Sequence, residues 1–321
     1  MWDAEWAMEE MTNGRFGANR VRTAVYKDNC EIFDRWAYPC GGREISLGDR
    51  AAFLGGTKVY GREFKVDSAP VQAEPVKCGV VNADCVMLAE LMAAAGYRTA
   101  ILNLASRTRP CGGYDKGLNA QEEALCRAST LSQSLYQHYK DKYICVRRAH
   151  VPMKYNAYPL DINFGGIYSP DVTFFRKGAS DGFAFRERLF RCGVITVGAL
   201  SFREPNDYCE DERRYRAPDG DFTPEGDAVQ MNKVRTIFRL ALANGNDSVI
   251  LGAFGCGVNE LPALKVALQF RRALEEPEFK NKFKVVAFAI LEGRGSLKRP
   301  VEEHGKFAPF YRVFGRLRLQ G

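Results

Sequence analysis

From residue 77 onward the chain alternates two hydrophobic patterns. Short apolar runs without helical period begin at Lys77 (KCGVVN), Thr99 (TAILNLA), Ile167 (IYSPDVTFF), Cys192 (CGVITVGAL), Ser248 (SVILGAF) and Lys284 (KVVAFAIL), and read as buried strands. Between them lie helical patterns. DCVMLAELMAAAG opens on Asp84 and stops at Gly96. MNKVRTIFRLALA sets Met231, Val234, Ile237, Phe238 and Ala241 on one stripe that ends at Asn244–Gly245. LPALKVALQFRRALEE supplies another. This alternation predicts an α/β fold, a central sheet with helices on both faces. Residues 1–75 read differently: helical spacing at Val21, Val25 and Ile32, then glycines from Gly41 to Gly61 and prolines at 70 and 75. We expect a mainly helical accessory extension over 1–75 and the principal domain over 76–321. The charged stretch from Arg203 to Asp221 reads as a long surface loop.

Composition removes several function classes. The 10 cysteines are scattered with no CxxC pair, which suits reduced thiols better than a disulfide framework. Three histidines, at 138, 150 and 304, offer few ligands, so no metal site and no cofactor are expected. No apolar run reaches membrane-spanning length, and MWDAEWAMEE lacks the regions of a secretory signal. A soluble protein of a reducing compartment, cytoplasmic or nuclear, is the expectation. The net charge of +7 favours an anionic partner, a nucleic acid, phosphorylated metabolite or polyphosphate polymer, although most surface charge serves solvation.

Two glycine-rich turns follow apolar strands. One holds Gly112 and Gly113; the other holds Gly252, Gly255 and Gly257. Ligands of open α/β sheets lie at the carboxyl ends of strands, where glycine lets backbone N–H groups approach phosphate oxygens. Strand-end glycines also make ordinary turns. Gln121–Glu122–Glu123 begins eight residues past Gly113. Adjacent carboxylates behind such a loop suit glycoside cleavage, in which one raised-pKa glutamate protonates the leaving oxygen and then activates water. The same residues suit the first turn of a helix, EALCRASTLSQSLYQHY, where acids favour the positive end of the dipole.

The stretch LNLASRTRPCGGYDKGLNAQEEALCRASTLSQSL resembles the signature of the microbial-type poly(ADP-ribose) glycohydrolases: a strand, an asparagine, a triple-glycine loop, a short spacer and Gln-Glu-Glu. VNADCVMLA, IYSPDVTFFR, VILGAFGCGV and KVVAFAIL extend the resemblance, in order, from about residue 80 to 292. It implies a macrodomain-type three-layer α/β/α fold with a mixed central sheet, and hydrolysis of ribose–ribose O-glycosidic bonds to release ADP-ribose. Glu123 would be the acid–base residue, with Glu122 on the adjoining ribose and Gln121 in support. Asn103 and Ser106 would line the distal ribose, and Gly112, Gly113, Gly255, Cys256 and Gly257 the diphosphate. Tyr114 or Phe254 would pack on a ribose or adenine, unless Phe254 is simply core. Asp84 would meet the adenine amine, or cap its helix. The implied partners are poly(ADP-ribose) or an ADP-ribosylated protein as substrate and ADP-ribose as product, with no membrane and no direct nucleic-acid binding.

Two residues depart from the pattern. Cys111 stands where the first glycine of the triple belongs, and Asn259–Glu260–Leu261 where the family commonly places an aromatic. Competing readings are a mono-ADP-ribosyl glycohydrolase acting on protein or nucleobase and a non-catalytic ADP-ribose reader, since fold does not fix function. A phosphatase would want a metal or nucleophile cluster that the chain lacks.

Overall fold

The computed structural model describes residues 2–66, 69–139, 156–204, 211–292 and 305–318. His150, His304 and the middle of the 203–221 stretch lie outside them. In chain order the elements are α1 (Ala4–Met11), α2 (Gly14–Arg35), β1 (Ala37–Cys40), β2 (Arg43–Ser46), α3 (Arg50–Gly56), β3 (Lys58–Tyr60), β4 (Lys77–Val81), α4 (Cys85–Ala94) and β5 (Thr99–Ala105). There follow α5 (Gln121–Ala128), α6 (Leu131–Tyr136), β6 (Gly166–Arg176), β7 (Phe185–Gly198), α7 (Pro224–Ala243), β8 (Ser248–Leu251), α8 (Ala263–Glu275), β9 (Val285–Ala289) and α9 (Phe307–Phe314).

Every predicted strand forms, and the described residues make a mixed seven-stranded sheet in the order β3-β6-β7-β5-β8-β9-β4. The pairs β5–β8, β8–β9 and β9–β4 are parallel, so their carboxyl ends share one edge. Such strands are covered on both faces, which is why they read as unbroken apolar runs. The open side of β4 is paired by residues 315–317: Val80 donates to the Gly315 carbonyl and Leu317 to the Val80 carbonyl. The backbone of 316–317 comes so near Gly79 that a side chain there would collide with it.

Contacts divide the chain into two compact units. Unit one comprises Met1–Lys58, Arg109–Pro159 and Ser169–Val194; unit two comprises Val59–Thr108, Leu160–Tyr168 and Ile195–Gly321. Unit two holds the large core, in which the α7 stripe Met231, Val234, Ile237, Phe238 and Ala241 is wholly buried. α7 begins as its sequence suggests, with the Thr223 hydroxyl accepting from Gly226 N–H at 3.1 Å and Pro224 in the first turn, and it stops at Gly245 with φ +76°. Unit one is smaller. Ala7, Val21, Val25 and Phe183 form one of its clusters, and Phe33, Trp36, Tyr38, Phe53, Phe175 and Phe185 stack through another.

The helix expected past Gln121 is interrupted. At Ser129 the backbone turns extended (φ −148°, ψ 177°), separating α5 from α6. The Ser129 hydroxyl bonds back to the Leu125 carbonyl at 2.8 Å while its backbone bridges to Phe174 of β6. A serine that satisfies the preceding turn by side chain frees its backbone for the strand beside it.

Candidate active site

In unit one, Gln121, Glu122 and Glu123 form the first turn of α5. Both glutamates are buried, at 3% and 5% exposure. Buried carboxylates need donors, and the glycine loop provides them. Cys111 N–H donates to Oε1 of Glu122 at 3.0 Å, and Gly113 N–H to Oε1 of Glu123 at 2.9 Å. Oε2 of Glu123 accepts from Ala120 N–H at 2.9 Å, one half of a capping box. The helix-start reading and the paired-acid reading thus describe the same atoms. Each oxygen of Glu123 keeps a second lone pair for a proton or a substrate hydroxyl.

Gly112 sits against these carboxylates. Its φ is +51°, and a Cβ there would overlap Oε1 of Glu123 and lie 3.1 Å from Cδ of Glu123 and 3.3 Å from Oε2 of Glu122. Its own N–H goes to the Arg109 carbonyl at 3.3 Å. Leu118 lies over Gly113 where a side chain would otherwise stand. Cys111 also has positive φ, +63°, and its buried thiol is hydrogen-bonded to Cys126 and Tyr136. Burial, with the Cys126 contact, pushes that thiol well above the usual range. It packs as a small apolar side chain and is a poor nucleophile.

Behind the loop stand residues that sequence reasoning did not select. Arg127, one turn past Glu123, is buried; it donates to the Leu118 carbonyl at 2.8 Å and to Oδ1 of Asn119 at 3.1 Å. Burial draws its guanidinium down to about 10, with Tyr114 and Glu123 acting in the opposite direction. Asn29 of α2 donates to the Tyr114 hydroxyl at 2.7 Å and to the Arg127 carbonyl at 2.9 Å, and accepts from Nε of Arg176 at 2.6 Å. Nearer the start of α2, Asn19 holds the Lys116 carbonyl at 3.1 Å and Arg22 the Gly117 carbonyl at 2.6 Å. The i,i+4 spacing of Glu123 and Arg127 was a readable signal. The α2 contacts span some 95 residues of sequence and had none. Tyr114 itself is enclosed, its hydroxyl committed to Asn29 and its ring edge-on to Tyr26 at 5.0 Å.

Replacing Arg127 by Met should lower kcat about tenfold, because the loop carrying Ala120 would lose its anchor and a shifted carboxylate is costly. Arg127→Lys should recover part of the rate. Steady-state kinetics beside a melting curve tests this, and an unchanged kcat in a folded Met variant would refute it.

Unit two holds the remaining predicted residues at the carboxyl edge of its parallel strands. Asn103 is buried within β5 and donates to the Thr196 hydroxyl at 3.2 Å; Ser106, just past the strand, lies 3.5 Å from the Thr108 hydroxyl. Asp84 caps α4, its Oδ1 accepting from Val86 and Met87 N–H at 2.8 and 3.2 Å. Phe254 is buried against Phe270. Gly255 has φ +75°, and a Cβ there would meet the Leu261 side chain and, at 2.7 Å, Ala199. Cys256 is buried, its thiol pushed up to about 12 by burial, whereas Gly257 and Val258 are exposed.

The segment after β7 that meets this loop is fastened from several sides. Leu200 N–H donates to Gln230 at 3.1 Å, Ser201 N–H to Glu212 at 2.8 Å and Phe202 N–H to the Asn259 carbonyl at 2.8 Å. Lys233 donates to the Gly198 carbonyl at 2.7 Å, and Glu212 pairs with Arg107 at 2.9 Å. Glu212 and Tyr215 are buried while their described neighbours over 211–221 are exposed or half-buried, so this part of the 203–221 stretch lies on the surface and is pinned to the core by two side chains. Burial lowers the Lys233 ammonium to about 7, Glu212 opposing the shift. Between about pH 7 and the ordinary lysine value near 10.5, the unfolded chain therefore holds a proton that the folded chain does not, and stability rises with pH across that window. Denaturant titrations at pH 7 and 9 should show wild type gaining on the order of 1–2 kcal/mol relative to Lys233→Met. Parallel pH dependence in the two proteins would contradict the assignment.

The family model described as microbial-type PARG (poly(ADP-ribose) glycohydrolase), catalytic domain, matches residues 27–177, from within α2 to the end of β6. No curated protein matches the chain. Among solved structures, a poly(ADP-ribose) glycohydrolase from Thermomonospora curvata superposes with a TM-score of 0.68 at 24% identity, covering 91% of this chain and 99% of that one. The same organism's enzyme bound to the inhibitor ADP-HPD gives 0.66 at 26% identity, with 91% and 98% covered. A Deinococcus radiodurans poly(ADP-ribose) glycohydrolase in complex with ADP-ribose gives 0.61 at 26%, with 84% and 98% covered.

Proposed function

We propose that the chain is a microbial-type poly(ADP-ribose) glycohydrolase, which hydrolyses the ribose–ribose O-glycosidic bonds of poly(ADP-ribose) with Glu123 as general acid and base. The observation that carries this reading is the pair of adjacent buried glutamates, each tied by a backbone N–H to the glycine loop. Glu123 gives a proton to the leaving ribose oxygen as the bond to the anomeric carbon breaks. Its carboxylate then takes a proton from the water that attacks that carbon, which returns the acid and leaves free ADP-ribose. Glu122, with Gln121 in support, fixes the hydroxyls of the ribose beside the scissile bond.

The remaining roles follow the same reading. Asn103 and Ser106 serve the distal ribose. Gly255, Cys256 and Gly257 take the diphosphate. Asp84 caps its helix through Oδ1, which leaves Oδ2 for the adenine amine. The N–H groups of Gly112 and Gly113 are engaged by Arg109 and Glu123, and we assign these glycines to orienting the carboxylates. Residues 1–75 act as an accessory to the catalytic domain, because α2 holds the glutamate loop. No helix among the described residues is long and apolar enough to cross a membrane, and we place the protein in a reducing compartment, cytoplasmic or nuclear.

Incubation with auto-modified poly(ADP-ribose), read by chromatography of the released nucleotide, tests the proposal. ADP-ribose accumulating with wild type and not with Glu123→Gln supports it. Release only from mono-ADP-ribosylated protein, with polymer untouched, would replace it by mono-ADP-ribosyl hydrolysis; retained binding without any release would leave a reader.

A further inference from the structure

We infer that Lys306 is a binding residue for the substrate diphosphate, completing an anion site on the loop that follows β8. This rests on the reading that the loop takes the diphosphate of ADP-ribose. The Lys306 ammonium lies 3.5 Å from the position a Cβ of Gly257 would occupy, with nothing else within 4 Å of that point. Its charge also acts on the Cys256 thiol, opposing the upward push of burial.

Lys306 is located by the fold. Oε1 of Glu292, just past β9, accepts from the N–H groups of Lys306 and Phe307 at 3.2 and 3.1 Å. The N–H of Glu292 donates in turn to Oδ1 of Asn82, just past β4, at 3.0 Å. The start of α9 is thereby fastened to the carboxyl ends of two neighbouring parallel strands, and from there the side chain reaches the loop after the third.

The loop offers what the ammonium alone lacks. Among the described residues the N–H groups of Gly257 and Val258 donate to no protein group, and both residues are exposed. No carboxylate pairs with the Lys306 ammonium among those residues either. Two open backbone donors beside a lysine form a recognition site for phosphate oxygens, the amides supplying direction and the ammonium charge. A side chain at 257 would stand between the two, so the glycine is kept by space, since its φ is not in the left-handed region.

The test is calorimetry with ADP-ribose and with inorganic pyrophosphate on wild type, Lys306→Ala, Lys306→Arg and Gly257→Ala, beside polymer kinetics. Lys306 is exposed and nothing crowds Gly257, so all four proteins should share one melting temperature. Lys306→Ala should weaken ADP-ribose binding on the order of tenfold and flatten its salt dependence. KM should rise with kcat within about twofold, because the contact is the same in ground and transition states. Arg should restore affinity, and Gly257→Ala should weaken it. Equal affinity in wild type and Lys306→Ala overturns the inference while leaving the glycohydrolase reading intact, as does affinity lost only together with melting temperature. Pyrophosphate bound through Lys306 by a protein indifferent to ADP-ribose would keep the anion site and remove the ADP-ribose reading. Binding of neither ligand by wild type overturns both.

Discussion

Glu123→Gln is expected to lower kcat on polymer by about 10²–10⁴-fold, the usual worth of a positioned acid–base group, while ADP-ribose affinity stays within a few-fold of wild type. The amide keeps the volume and keeps an oxygen to accept the Gly113 N–H, which in wild type spans 2.9 Å to Oε1. It cannot donate or take the proton that the reaction moves. Its NH2 would face the Ala120 N–H that now meets Oε2, so a stability loss of about 1 kcal/mol is expected alongside. Single-turnover kinetics, calorimetry with ADP-ribose and a melting curve separate these effects. A variant that turns over near wild type would remove Glu123 from the chemistry. One that loses turnover, binding and folding together would give the residue a structural role.

Gly112→Ala is expected to be nearly as damaging, although a methyl group is all it adds. The left-handed backbone at φ +51° costs an L-residue about 1–2 kcal/mol. The larger effect is spatial: the new Cβ would overlap Oε1 of Glu123, so the carboxylate must leave the position set by Gly113 and Ala120. A reacting group displaced by about an ångström loses on the order of 10²-fold in rate. Sequence alone sets this glycine against a diphosphate, which would predict weakened binding. The geometry sets it against the glutamates, so the loss is expected in kcat with ADP-ribose binding largely kept. Weakened binding at unchanged kcat would restore the diphosphate assignment.

Much of unit two was legible because its signals are local. An apolar run buried on both faces, or a stripe such as Val234–Ile237–Phe238–Ala241, is decided by residues within a few positions of one another. The Gln-Glu-Glu turn was legible for the same reason, the loop and the helix start being adjacent in the chain. What stayed hidden depends on distant partners. Ser129 breaks a helix its neighbours would continue because Phe174 is beside it. Glu212 is interior because Arg107 neutralises it. Tyr114 looks available to a ligand until Asn29, 85 positions earlier, takes its hydroxyl. Lys306 follows a charged stretch with no pattern, and only the ends of β4 and β9 bring it to Gly257.

The loop's two left-handed positions also set unequal limits on how its sequence can change. At 111 the constraint is torsional: φ is +63°, and a small side chain that finds a buried place, as the Cys111 thiol does beside Cys126 and Tyr136, offsets a strain of about 1–2 kcal/mol. At 112 the constraint is torsional and steric together, since the space belongs to the glutamates. A small side chain at 111 therefore leaves the carboxylates where they are, whereas a side chain at 112 would have to be accompanied by remodelling of the acid pair. A glycine count thus says less about such a loop than the pairing of Gly112 with Glu123.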